Sequence, residues 1–184
     1  MAFNFSVTFP SKPYVRLFIE QNYGNPVRFY RDKAIMSLIR LMLQKKDTSL
    51  QYRPVNKDIY SDTVTFYLNE TDYNHYGDFL SNQAIMDINR HFEQKVRMLM
   101  RSWCSAQYFY GMPAIDTVKY FQERFGYPEH IWKAESMYKD CQRNNIFSQE
   151  KNLLMEQKIT EIILSQLSRN RTITQQAKRI YEDH

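Results

Sequence analysis

The sequence predicts a mainly α protein with a small β element, an α+β chain. Three observations carry this. Only four glycines occur in 184 residues, against about 7% in an average protein, so a turn-rich β-sandwich is disfavoured. Strict apolar–polar alternation is confined to short stretches before residue 70. Beyond residue 69 the apolar positions recur at helical spacing.

The elements follow in order. Phe3, Phe5, Val7 and Phe9 alternate with polar residues and predict a strand, which Pro10 ends. Ser11 is expected to cap a helix with Pro13 in its first turn and Gly24-Asn25-Pro26 at its end. A second helix is expected from about Arg31 to Lys45, with Ile35, Leu38, Ile39 and Met42 on one face. Two strands are expected next, over residues 50–55 and 63–68. In the second, Val64, Phe66 and Leu68 share a face. This order suits a winged-helix-like N-terminal unit without its first helix, the hairpin serving as wing. It equally suits a three-stranded sheet on two helices with no DNA role.

Only helices are expected afterwards. A short one is expected over residues 70–80 with Asn69 as cap, and a long one runs from Asn82 to about Tyr108 behind a Ser81 cap. The long helix has a stripe of Ile85, Ile88, Phe92, Val96, Leu99 and Trp103. Arg90, Lys95, Arg97 and Arg101 are assigned to its other face. Gly111-Met112-Pro113 breaks it. Two further helices flank Gly126, the second expected to carry Trp132, Lys133, Lys139 and Arg143. The last helices are expected over residues 148–167 and 173–181. The organisation predicted is an α+β domain over residues 1–145 and a helical extension over 146–184, with the helices forming a bundle.

Charge is distributed unevenly. Lys12 to Arg53 holds nine Lys or Arg against three acids, whereas Pro54 to Asn89 holds one lysine against six acids. A basic first third attracts phosphate backbones. A solvated surface cancelled by its acidic neighbour is the alternative. Arg28, Arg31, Lys33 and Arg40 are the phosphate-contacting candidates. The helix pair around Gly126 reads as a helix-turn-helix, with Phe121, Phe125, Tyr127 and Trp132 locking the angle. His130, Lys133 and Glu135 would then lie near the groove, and Lys139 and Arg143 near phosphates. Gln122 and Glu135 depart from that pattern, and plain helix packing stays open.

Enzyme chemistry is not expected. No glycine-rich phosphate loop, nucleophile elbow or HExxH motif occurs. Asp87 and His91 are spaced as an ordinary surface pair, and Glu93-Gln94-Lys95 is a nuclease-like fragment placed in mid-helix. Cys104 and Cys141 lack zinc-type spacing and read as reduced thiols of a cytoplasmic protein. No cofactor, metal or membrane partner is expected.

Lys12-Pro-Tyr-Val-Arg-Leu-Phe-Ile-Glu-Gln-Asn-Tyr-Gly-Asn-Pro-Val resembles the openings of small uncharacterised proteins of gut-bacterial phages and mobile elements. Residues 121–143 resemble a later part of the same proteins, and the two passages cover about a fifth of the chain. The resemblance implies a setting; it carries no activity and no functional residue.

The function expected is that of a non-enzymatic DNA-binding accessory or regulatory protein. The alternative is a structural or protein-interaction module that binds a partner protein through aromatics such as Tyr108, Phe109 and Tyr110. A homodimer is expected through Met155, Ile159, Ile163 and Leu167, which recur every fourth residue.

Overall fold

Alternation in two distant stretches brings the first strand and the last N-terminal strand together. The structure, a computed structural model, describes residues 3–46 and 55–148. β1 (Phe3–Ser11) pairs antiparallel with β3 (Asp62–Asn69), Val7 opposite Phe66 and Phe9 opposite Val64. Val7, Phe9, Val64, Phe66 and Leu68 are buried on one face, as their period of two requires. On the other face Thr8 and Thr65 are hydrogen-bonded at 2.8 Å. A parallel bridge from Val27 to Phe66 occupies the far edge of β3. Residues 50–54 of the expected wing lie outside the described residues, so β1 is the strand partner seen for β3.

α1 (Pro13–Tyr23) starts with Pro at its first position, but its cap is Lys12, not Ser11. Ser11 is buried instead, and its hydroxyl donates to Asn89 Oδ1 at 3.1 Å. Asn89 also donates to the Pro10 carbonyl at 3.0 Å, so one buried amide pins the β1–α1 junction to the long helix.

A 3-10 turn (Phe29–Arg31) precedes α2 (Lys33–Met42), which Asp32 caps. The expected extension of α2 to Lys45 does not form. Leu43–Gln44 becomes β2 and pairs with β4 (Phe79–Leu80), burying Leu43 and Leu80. Close approach enforces Gly77 beside this pair. At φ 86° it is left-handed, and a Cβ there would lie 2.4 Å from the Gln44 carbonyl oxygen. α3 (Glu70–Tyr76) is capped by Asn69 and α4 (Asn82–Phe109) by Ser81, as their sequences indicate, but α3 stops short of the expected residue 80 because Phe79–Leu80 forms β4.

α4 is the spine of the molecule. It buries Ile85, Ile88, Phe92, Val96, Met100 and Cys104. The expected stripe therefore holds as far as Val96 and then moves by one position. Leu99 is 36% exposed and Trp103 half-buried, whereas Met100 and Cys104 are fully buried. Continuation at every fourth residue turns the buried face toward α5 (Ala114–Phe125) and α6 (Ala134–Arg143), which cover it. Phe92 stacks on Phe29 at 5.7 Å, joining the spine to the N-terminal layer. Each such buried large side chain contributes about 1.5–3 kcal/mol.

Ile146 is buried and Phe147 packs on Tyr108 and Tyr138. The packed body thus runs past the expected boundary at residue 145. Residues 149–184, with the dimer stripe Met155, Ile159, Ile163 and Leu167, lie outside the described residues. No helix among the described residues is long and apolar enough to cross a membrane.

Candidate nucleic-acid interface

Capping chemistry builds the first cation group. Asp32 Oδ1 accepts from the backbone N–H groups of Ala34 and Ile35 at 3.0 and 3.1 Å, fixing the start of α2. The Ile35 N–H bond comes first among the causes that hold this carboxyl below its ordinary range. Tyr23 donates to Asp32 Oδ2 at 3.2 Å, and the Lys95 charge adds to the lowering. Burial, with Asp32 beside it, pushes Tyr23 up to about 12. Phe29 is buried between these polar residues, anchoring the turn. Arg28, Arg31 and Lys33 are thereby displayed on a capped turn, all exposed. Lys95 of α4, felt electrostatically by Asp32, brings a fourth cation from a distant part of the chain.

A cleft of about 250 Å³ opens beside Arg28, lined by Pro26, Val27, Tyr30 and Tyr67. Tyr30 is held upright by two bonds: its hydroxyl donates to Asp72 Oδ2 and accepts from the Asn69 N–H, each at 2.8 Å. Burial, with Asp72 close by, raises its pKa to about 12, so it stays protonated at neutral pH. An arginine beside two phenol rings offers a phosphate contact next to stacking surfaces.

Arg40 does not belong to this group. Its guanidinium is engaged with buried Asp72, Nε to Oδ1 at 2.9 Å and Nη2 to Oδ2 at 3.1 Å. The paired carboxylate is the first cause raising the Arg40 pKa. Lys12 and Arg16 are likewise committed, to Glu93 at 2.6 Å and to Glu20 and Asp62 at 3.2 Å each.

The second cation group follows the glycine at 126. Gly126 ends α5 in the left-handed conformation, φ 67°, as its position implies. The second helix does not start at the following turn. Residues 126–133 form the connection and α6 begins at Ala134, so Trp132, His130 and Lys133 lie before the helix. A turn of three or four residues, as a DNA-reading pair uses, is absent. Packing explains the longer path. Trp132 is buried, stacked on Tyr14 at 4.6 Å and edge-on to Tyr127 at 5.6 Å. Gln122, the departure from the motif, donates to the Trp132 carbonyl at 2.7 Å and to Glu129 at 3.0 Å. Glu129 in turn accepts from the Ala134 N–H at 2.9 Å and starts α6. Lys139 is exposed and paired with Glu135 at 2.6 Å; Lys133 and Arg143 are exposed.

α4 and α6 are joined by charge. Asp140, 6% exposed, accepts from Arg101 Nε at 2.6 Å and from Arg97. Burial alone would raise the Asp140 pKa; the Arg101 and Arg97 guanidiniums outweigh it and hold the carboxyl low. Glu93 accepts from Lys12 and Tyr14 at 2.6 Å each and from Arg97 at 2.8 Å. Its burial would raise it, and these donors lower it. The nuclease-like fragment is therefore a structural bridge. Asp87 bonds Gln83 and Arg90 in place of His91. Burial, then Lys95, lowers the His91 pKa.

Sequence reasoning missed the buried carboxylates Asp72 and Asp140 and the buried amide Asn89. Each sits on a helix where a polar residue reads as solvent-facing. Compared with protein-family models, curated proteins and solved structures, the chain finds no match.

Proposed function

We propose that this protein is a non-enzymatic DNA-binding accessory or regulatory protein that grips the phosphate backbone through Arg28, Arg31 and Lys33. One observation carries the reading. Of the six Lys and Arg residues up to residue 40, Lys12, Arg16 and Arg40 are paired with acids, while these three stand exposed on one capped turn. Lys95 extends the group across Asp32, and Lys133 and Arg143 offer a second, more dispersed contact. A backbone grip of this kind positions the protein without reading sequence. Fluorescence anisotropy on a labelled duplex of arbitrary sequence, at low salt, tests it. Binding is expected; a flat titration at high micromolar protein would overturn it.

A second reading, a protein-interaction module, has its own support. Met98 is 64% and Leu99 36% exposed on α4, and Tyr120 of α5, 40% exposed, packs on half-buried Trp103 of α4. Of the expected trio, Tyr110 is freely exposed at 77%, whereas Tyr108 packs on Phe147 and Phe109 is half-buried. Met98→Asp with Leu99→Asp would abolish capture of a protein partner and leave DNA binding intact. Loss of DNA binding in that variant, at unchanged stability, would count against the assignment of separate surfaces.

A further inference from the structure

The bridge between Val27 and Phe66 holds residues 26–30 against the edge of β3. Beside it lies the cleft of about 250 Å³, lined by Pro26, Val27, Arg28, Tyr30 and Tyr67. Its walls are apolar or aromatic, with one cation and no acid. Sites for drug-sized ligands run to about 300–1,000 Å³. A cleft below that range has room for one nucleobase and not for a base pair.

Two of its side chains have no internal task. Alternation puts Tyr67 on the outer face of the sheet, where its cross-strand partner is Ser6, exposed and too short to cover a ring. Among the described residues, the half-buried Tyr67 side chain makes no hydrogen bond and no ring contact, and the Arg28 guanidinium meets no acid. Tyr30 is different, because Asp72 and the Asn69 N–H hold its hydroxyl in place. The Asp72 charge is already met by Arg40. A tyrosine ring that nothing stacks on, close to an arginine that nothing pairs with, joins a stacking surface to a phosphate contact.

We propose that this cleft takes one unpaired nucleotide of single-stranded DNA, its base against the rings of Tyr67 and Tyr30 and its phosphate on Arg28. The inference rests on the DNA-binding reading above and adds the base to the phosphate grip. A duplex offers its phosphates to the 28–33 turn but keeps its bases stacked and paired, out of reach of the cleft. A single strand offers both at once. The protein is thereby assigned a preference for unpaired DNA, without sequence specificity, since every base has a face to stack.

The test compares three labelled probes by fluorescence anisotropy at low salt, using the full chain. They are an oligothymidylate of about ten nucleotides, an abasic strand of the same length, and a duplex. The abasic strand keeps the phosphates and removes the bases. Wild type is expected to bind the oligothymidylate about tenfold more tightly than the abasic strand. Tyr67→Leu, shown to be folded by circular dichroism, should lose that advantage and keep its affinity for the abasic strand and the duplex. Tyr67→Thr, which matches the neighbouring Thr65, is the second variant should the first fail to fold. Equal binding of the oligothymidylate and the abasic strand by wild type would overturn the inference and leave the phosphate grip standing. So would a full oligothymidylate advantage in the folded Tyr67 variant. Binding of none of the three probes would overturn the DNA-binding reading as well.

Discussion

The turn around residues 28–33 and the helix pair over residues 114–143 both look, as sequence, like basic DNA-facing segments. They differ in how their polar groups are used. In the first, one acid, Asp32, is occupied with capping α2, and the cations on either side of it face solvent. In the second, polar groups close the structure on itself. Gln122 and Glu129 tie the connection, Glu135 pairs with Lys139, and Asp140 binds two arginines of α4. A cation serves an external anion only where folding has not already supplied an internal one. The proposed phosphate grip therefore falls to the first region, and the internal polar ties to the second.

The largest separation between the regions is expected from Asp140→Asn. Two half-buried guanidiniums lose their carboxylate, at a cost of about 3 kcal/mol in urea unfolding. DNA affinity of the folded fraction should stay unchanged. The same residue predicts a pH dependence. Its folded pKa is depressed, so its contribution is present above the ordinary carboxylate range and is lost as pH falls through the lower folded value. Wild type should therefore lose stability in acid, and Asp140→Asn should lose less over that window. Equal acid sensitivity of the two proteins would remove Asp140 from the account.

Asp32→Ala probes the first region. Loss of the cap should cost about 1 kcal/mol, read as a lower unfolding midpoint, and DNA affinity should weaken as Arg31 and Lys33 lose their fixed turn. The smallest effect is expected from Lys139→Gln, an exposed pair partner, at roughly 0.5 kcal/mol or less in stability. Its DNA affinity should fall less than that of any variant in the 28–33 turn. A larger loss would move the binding surface to α6.

Particular residues show what was legible in the sequence. Alternation gave β1 and β3, and the caps at Asn69 and Ser81 and the break at Pro113 stand where local chemistry puts them. Local rules carry that information within a few residues. Ser11 failed as a cap because Asn89, 78 residues away, claims its hydroxyl. Arg40 failed as a phosphate ligand because Asp72, 32 residues away, is buried against it. The short β2–β4 pair has no periodicity to read, and the α4 stripe drifted where α6 covers the helix. Arg28, Arg31 and Lys33 remained candidates because their surroundings are local: the turn, its cap and the neighbouring aromatic anchor.

The most direct test is the salt dependence of duplex binding, wild type against a variant carrying Arg28→Gln, Arg31→Gln and Lys33→Gln. Surface changes of this kind leave stability within about 0.5 kcal/mol, so folding does not confound the comparison. Each phosphate contact contributes about 0.9 to the slope of log affinity against log salt concentration. Wild type is predicted to bind with a steep negative slope, and the variant to bind more weakly with a slope shallower by about 2.7 if all three contact phosphate. An unchanged slope and affinity in the folded variant would contradict the assignment of DNA contact to this turn.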